Sequence, residues 1–315
     1  EQWEAGKQAL RDEFNQAEKI SRYLRHSPVF VLPFYCYRDV DKRINFLLST
    51  SVVDYDGRTV SISNGRISTF MDQLYSVEDA CRADKMQGIR KMLGFIYGKL
   101  RYLHCGPREI MRKEVVKLQT YKEEYGRYLR HMEELERKVD FQRMWCTDAE
   151  NYRMCERSNC PLQLLEKILP LEWTFHTGGI HGDVHPRNIV FLEGLSSEAY
   201  LIDYGWAAEE AQVAKDFVLM ECNLRFMALN PRISIHDRRA ITGCIETEKI
   251  QKSLDEYSDE GTYVAGILRL IQEVRSQFQQ TIQQLNSSPG QELSAEIWLY
   301  EYYIPLFLTA YGLVK

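Results

Sequence analysis

The chain has no basic surplus, no long apolar run, no dense cysteine framework and no low-complexity tract. Its 40 lysines and arginines face 45 aspartates and glutamates, a net charge of −5. A dedicated nucleic-acid binder normally shows the opposite balance on one face, so no nucleic-acid partner is expected. The longest apolar stretch, 304–314, is too short to cross a bilayer and is interrupted by Pro305, Thr309 and Gly312. The first residues are polar, without a secretory pattern. Eight cysteines scattered over 315 residues do not make a disulfide scaffold and point to reduced thiols. The expectation is a soluble, cytoplasmic protein with no membrane partner. Cys146, Cys155 and Cys160 fit zinc-ligand spacing poorly and read as ordinary loop cysteines.

What is present is a globular composition, 44% hydrophobic and 27% charged, in a chain long enough for two lobes. Residues 1–27 form an amphipathic pattern: Trp3, Leu10, Phe14, Ala17 and Leu24 recur at helical steps. The pattern is already running at residue 1 without a capping residue, which suggests a fragment of something longer. Short β-branched and aromatic runs at 29–37, 44–53 and 59–62 predict a small sheet, with Asp56-Gly57 as a turn. From Ile67 onward helices are expected, with Gly94, Gly98 and Gly106 marking breaks or close contacts. The charged stretch 107–145 carries Leu118, Tyr121, Tyr125, Tyr128, Met132, Leu135 and Val139 at alternating three- and four-residue steps. That seam predicts one helix packed in a bundle. Trp298, Tyr300, Tyr302 and Tyr303 predict a C-terminal helix that buries its rings.

Residues 180–205 carry the chemistry. They open with His181-Gly182-Asp183-Val184-His185-Pro186-Arg187-Asn188, run through an apolar strand, and return along a second strand to Asp203-Tyr204-Gly205. A hairpin folds residue 203 back beside residue 188, so two carboxylates and an amide converge. Hard oxygen ligands of this kind suit Mg²⁺, which takes one or two carboxylates and completes its shell with phosphate oxygens and water. Phosphoryl transfer uses the same set.

His-Gly-Asp-x-His-x-x-Asn, followed by Leu201-Ile202-Asp203-Tyr204-Gly205, resembles the catalytic loop and metal-binding strand end of the aminoglycoside phosphotransferase and choline kinase group. The resemblance implies an α+β, protein-kinase-like two-lobed fold. In that fold, residues 1–75 are a partial N-terminal lobe with a reduced or truncated sheet. Residues 76–315 are a large helical C-terminal lobe bearing the hairpin 180–205. It implies Asp183 as the catalytic carboxylate, Asn188 and Asp203 as Mg²⁺ ligands, His181 as loop support, and Asp216 as a brace beneath the loop. ATP would be the donor and a small-molecule hydroxyl the acceptor, with Trp206 and Glu209 facing it beside Tyr204 and Glu210. The wording from His181 to Phe226 also resembles a narrower group of kinase-like modules, the ternary complex associated domains of multidomain signalling proteins.

The chain departs from the wider pattern. There is no Gly-x-Gly-x-x-Gly, and residues 29–37 contain no lysine to grip nucleotide phosphates. The first helix would fit the one bearing a paired glutamate, with Glu4, Glu13 or Glu18 as candidates. Two readings are open: a phosphotransferase, and a non-catalytic pseudokinase module that works through contact with other domains or proteins.

Overall fold

The computed structural model describes residues 2–24, 33–39, 44–49, 67–75, 83–106, 116–129, 161–192, 199–227, 229, 233–243, 247–256 and 263–313. In chain order the elements are α1 (Gln2–Leu24), β1 (Pro33–Asp39), β2 (Ile44–Ser49), β3 (Ile67–Thr69), α2 (Phe70–Tyr75), α3 (Ala83–Cys105), β4 (Val116–Thr120), α4 (Tyr121–Leu129) and α5 (Pro161–Ile168). There follow β5 (Glu172–Ile180), β6 (Ile189–Leu192), β7 (Ala199–Leu201), β8 (Ala208–Gln212), α6 (Ala214–Cys222), α7 (Ile235–Gly243), α8 (Thr247–Glu256), α9 (Tyr263–Leu285), α10 (Ala295–Ile297) and α11 (Ile304–Gly312). Two π-helical turns, Asn223–Met227 and Trp298–Tyr303, extend α6 and precede α11. The result is a mixed α+β chain, mostly helical, with small sheets. None of the described helices is long and apolar enough to cross a membrane. The chain divides into two compact units, one of Glu1–Lys113 with Gly178–Glu292, the other of Glu114–Thr177 with Leu293–Lys315.

In the first unit, α1 forms where the amphipathic pattern predicted it and buries Ala17 and Ile20. It packs against the antiparallel pair β1–β2, whose register runs from Asp39↔Ile44 to Pro33↔Ser49. The expected strand at 59–62 and its turn lie outside the described residues. The sheet that matters for the site has the order β3-β6-β7. β6 and β7 form the predicted hairpin, with Ile189↔Leu201, Val190↔Tyr200 and Phe191↔Ala199. Strand β3 adds to its other edge, Thr69 opposite Val190, in a region where the sequence predicts mostly helix. Thr69 then starts α2 by a reciprocal cap. The Asp72 carboxylate accepts the Thr69 N–H at 2.8 Å, and the Thr69 hydroxyl accepts the Asp72 N–H at 3.1 Å. Those bonds hold the Asp72 carboxyl below the usual carboxylate range.

Helices α3 and α9 pair along their lengths and make the core of this unit, joined by Tyr97 stacked on Phe217 and Phe217 edge-on to Phe278. Helix α3 runs without interruption through Gly94 and Gly98. Neither residue breaks it, although Gly94 does let the Glu273 side chain approach. Gly106, with φ +57°, is where the helix ends, as a left-handed C-terminal residue does.

In the second unit β4 pairs antiparallel with β5, Val116↔His176 to Thr120↔Glu172. This corrects the single helix expected over 107–145. Residues Val116–Thr120 are extended, and Leu118 is exposed on the strand rather than buried in a seam. Helix starts only at Tyr121, where Thr120 and Glu123 make the same reciprocal cap. Tyr121, Tyr125 and Leu129 do face inward, against Leu165, Ile168, Phe175, Leu308 and Tyr311. Tyr128 lies within α4, while Met132, Leu135 and Val139, like Cys146, Cys155 and Cys160, lie outside the described residues. The C-terminal aromatics occupy a π-helical turn. Tyr302 is fully buried, and the Tyr300 ring stacks on Trp173 at 4.3 Å.

Candidate functional site

The loop 181–188 connects β5 to β6, and buried polar groups fix its shape. At its start, Gly178 and Gly179 let the end of α3 press onto β5: a Cβ at either would run into the His104 carbonyl or the Leu103 side chain. That approach delivers His104, fully buried, to Asp216 on the first turn of α6. Asp216 is itself fully buried and spends both oxygens. Its Oδ2 accepts from His104 Nε2 at 2.9 Å and from the His181 N–H at 3.0 Å, and its Oδ1 accepts the Gly182 N–H at 2.7 Å. Its backbone carbonyl accepts the Tyr97 hydroxyl at 2.9 Å. Burial alone would raise the Asp216 carboxyl. The His104 bond and charge, with His181 and the Gly182 N–H, outweigh it and leave the group below the usual carboxylate range.

Gly182 has φ +81°, and its α-carbon lies against the backbone carbonyl of Trp206, so only glycine fits. His181 is fully buried beside the Tyr204 ring, with centroids 4.7 Å apart. Its Nε2 donates to the Ile202 carbonyl at 3.1 Å, and its Nδ1 accepts the Asp183 N–H at 3.3 Å. Burial pushes this imidazole below the usual histidine range, against the pull of the Asp216, Asp183 and Asp203 carboxylates. It therefore sits neutral, tying the loop to the strand end that precedes Asp203. A further tie comes from α2, whose Met71 N–H donates to the Pro186 carbonyl at 3.1 Å.

Asp183 and Asn188 meet directly. The Asn188 amide nitrogen donates to the Asp183 carbonyl at 3.0 Å and to its Oδ2 at 3.1 Å. The Ile202 N–H donates to the Asn188 carbonyl at 3.1 Å, which sets Asp203 beside this pair. Asp203 is exposed and left-handed, φ +64°, a conformation Asp tolerates better than most residues and one often found at functional sites. Its Oδ1 accepts the Gly205 N–H at 3.2 Å. On α1, Glu13 accepts the Tyr204 N–H. Burial and the nearby Asp203 charge push its carboxyl above the usual range. Of the three glutamates named on the first helix, Glu13 reaches the site. Glu18 is exposed, and the Glu4 side chain lies outside the described residues.

The structure thus joins Asp183, Asn188, His181 and Asp216 by hydrogen bonds and sets Asp203 next to them. Trp206 is half-buried in the turn after Asp203, and Glu209 is half-buried on β8. Tyr204 points inward, fully buried with its hydroxyl on the Leu201 carbonyl at 3.0 Å, and so cannot face an acceptor. His104 has no signature in the sequence: a lone histidine at the end of a helix gives no signal until Gly178-Gly179 brings the helix close.

Among the described residues no three of His, Cys, Asp and Glu form a metal cluster. Mg²⁺ does not require one. The Asn188 amide oxygen and the Asp203 Oδ2 accept no hydrogen bond from the described residues. One amide oxygen and one carboxylate suit a cation that completes its shell with phosphate oxygens and water.

Residues 114–315, more than half of the chain, match the model of one family, ternary complex associated domain 9. The chain belongs to that family. Its matched region takes in the loop 181–188, Asp203 and Asp216 but not His104 or Glu13, which α3 and α1 supply. None of the curated proteins matches. Two solved structures of glucosamine kinase are similar at 16% and 15% identity, over 95% of this chain and 69% and 68% of theirs, each with a TM-score of 0.40. The second of them is in complex with glucosamine, ADP and inorganic phosphate.

Proposed function

We propose that this domain is a Mg²⁺-dependent phosphotransferase of the aminoglycoside phosphotransferase and choline kinase type, moving the γ-phosphoryl of ATP to a hydroxyl of a small molecule. In this reading residues 1–75 serve as a partial nucleotide lobe and 76–315 as the lobe that carries the chemistry. The observation that carries it is the Asn188 amide. Its nitrogen fixes Asp183 by two bonds, its oxygen accepts no hydrogen bond from the described residues, and the backbone carbonyl of Asn188 takes the N–H of Ile202, the residue before Asp203.

Asp183 is 24% exposed, so an acceptor hydroxyl can reach it. It orients that hydroxyl and takes its proton late, when the phosphorus–oxygen bond is largely formed. Asn188 and Asp203 would hold Mg²⁺, which when bound supplies charge neutralisation on the phosphates. His104, Asp216 and His181 hold the loop so that little reorganisation is needed when substrate arrives. Trp206 and Glu209 suit a cationic or polyhydroxylated acceptor.

The test is calorimetric titration of Mg·ATP into the chain and its Asp203→Ala variant. Binding that needs both Mg²⁺ and Asp203 is expected. The rival reading, a pseudokinase module, draws on the missing glycine loop and strand lysine. Binding by neither protein would favour it and remove the phosphotransferase.

A further inference from the structure

The two carboxylate oxygens of Asp183 have different surroundings. Oδ2 takes the Asn188 amide at 3.1 Å and faces His185 Nε2 at 3.6 Å, while Oδ1 has no hydrogen bond to the described residues. His185 is oriented in turn. Its carbonyl accepts the Asn188 N–H at 2.9 Å, and its Nδ1 accepts the Arg187 N–H at 3.2 Å. With Nδ1 accepting, Nε2, the atom that faces Asp183, is the donor of this ring. The 3.6 Å separation is longer than a hydrogen bond. An approach of about half an ångström would close it, and catalytic hydrogen bonds commonly tighten in this way when substrate binds.

We propose that His185 is a positioning residue for Asp183. As the site tightens, its Nε2–H joins the Asn188 amide in holding Oδ2, which leaves Oδ1 as the oxygen that receives the acceptor's proton. The transfer step rests on the phosphotransferase reading; the tautomer and the pairing do not. In that step the acceptor oxygen bonds to the γ-phosphorus and the bond from phosphorus to the bridging oxygen breaks. ADP keeps that electron pair, and the acceptor's proton ends on Asp183 Oδ1. His185 keeps its own proton throughout.

Two readouts on the full chain test this. Imidazole ¹⁵N NMR should find His185 protonated at Nε2 and not at Nδ1, with the Nε2 resonance displaced in Asp183→Asn. Protonation at Nδ1, or a resonance indifferent to that substitution, overturns the proposal. The second readout is Mg²⁺-dependent ATP hydrolysis with water as the acceptor. His185→Gln, which retains an N–H, should stay within about 3-fold of the parent turnover. His185→Leu should lose about 10-fold in turnover with KM for ATP unchanged, the mark of a group that acts on the reacting atoms rather than on nucleotide binding. Full turnover by His185→Leu overturns the proposal. A parent chain that hydrolyses no ATP defeats the phosphotransferase reading by itself, and the NMR result still decides whether His185 holds Asp183.

Discussion

Each of the two units contains a buried histidine–carboxylate pair, and the two are used differently. In the second unit Glu301 accepts the His176 N–H at 2.9 Å and pairs with the Nδ1 of the same residue at 2.7 Å. Both oxygens go to one residue of a regular strand, and the π-helical turn that carries Glu301 is pinned to it. In the first unit Asp216 divides its oxygens among His104, His181 and Gly182. Two of those donors are backbone N–H groups of an irregular loop. A strand residue such as His176 has ladder partners beside it, whereas the N–H groups of a loop depend on whatever side chain reaches them. Glu301 therefore ties one element to another, whereas Asp216 fixes the start of an irregular loop whose remainder is held by His181, Asn188 and Met71.

The largest effect that would sharpen this contrast is Asp216→Ala. It strips partners from two buried backbone N–H groups and a buried imidazole, and it should cost about 4 kcal/mol by urea unfolding. Mg·ATP binding should be lost with it, under conditions where the chain is still folded. Glu301→Ala should cost less, about 2–3 kcal/mol, since the His176 it holds sits on a regular strand with ladder neighbours. Its Mg·ATP affinity should remain within about 3-fold of the parent. Equal loss of nucleotide binding in the two variants would break the distinction between tie and shape.

The smallest effect is in pH. His181 is held below its ordinary value by burial, so between that folded value and about 6.5 the unfolded chain binds the extra proton and the native chain does not. Stability must then fall as pH drops through this window. His181→Gln should flatten the slope there while leaving in place the acid loss that Asp216 imposes below about 3.8. An unchanged slope would mean that His181 is not buried neutral.

The site was legible in the sequence where its residues are close in sequence. Asp183 and Asn188 are five apart in one loop, and the hairpin that returns Asp203 announces itself by two short apolar runs. His104 was not legible because its partner is 112 residues away, and only the packing of α3 on two glycines makes the bond. β4 was misread for a physical reason: Leu118 extends by chance the helical spacing of Tyr121 and Tyr125. The strand itself leaves Val116, Lys117 and Leu118 exposed, so no alternation of period two marks it. Strand β3, three residues long, is too short to show any period at all.

The contact between Gly182 and the Trp206 carbonyl also bears on how this domain can vary. Every residue other than glycine adds at least a Cβ where that carbonyl already sits, so position 182 offers no intermediate choices. The stretch before Asp183 and the turn after Asp203 meet through bare backbone, and neither can be adjusted by exchanging a side chain at their point of contact. Any change in the shape of this corner has to come from the residues that surround the two segments, because their point of contact has no side chain to exchange.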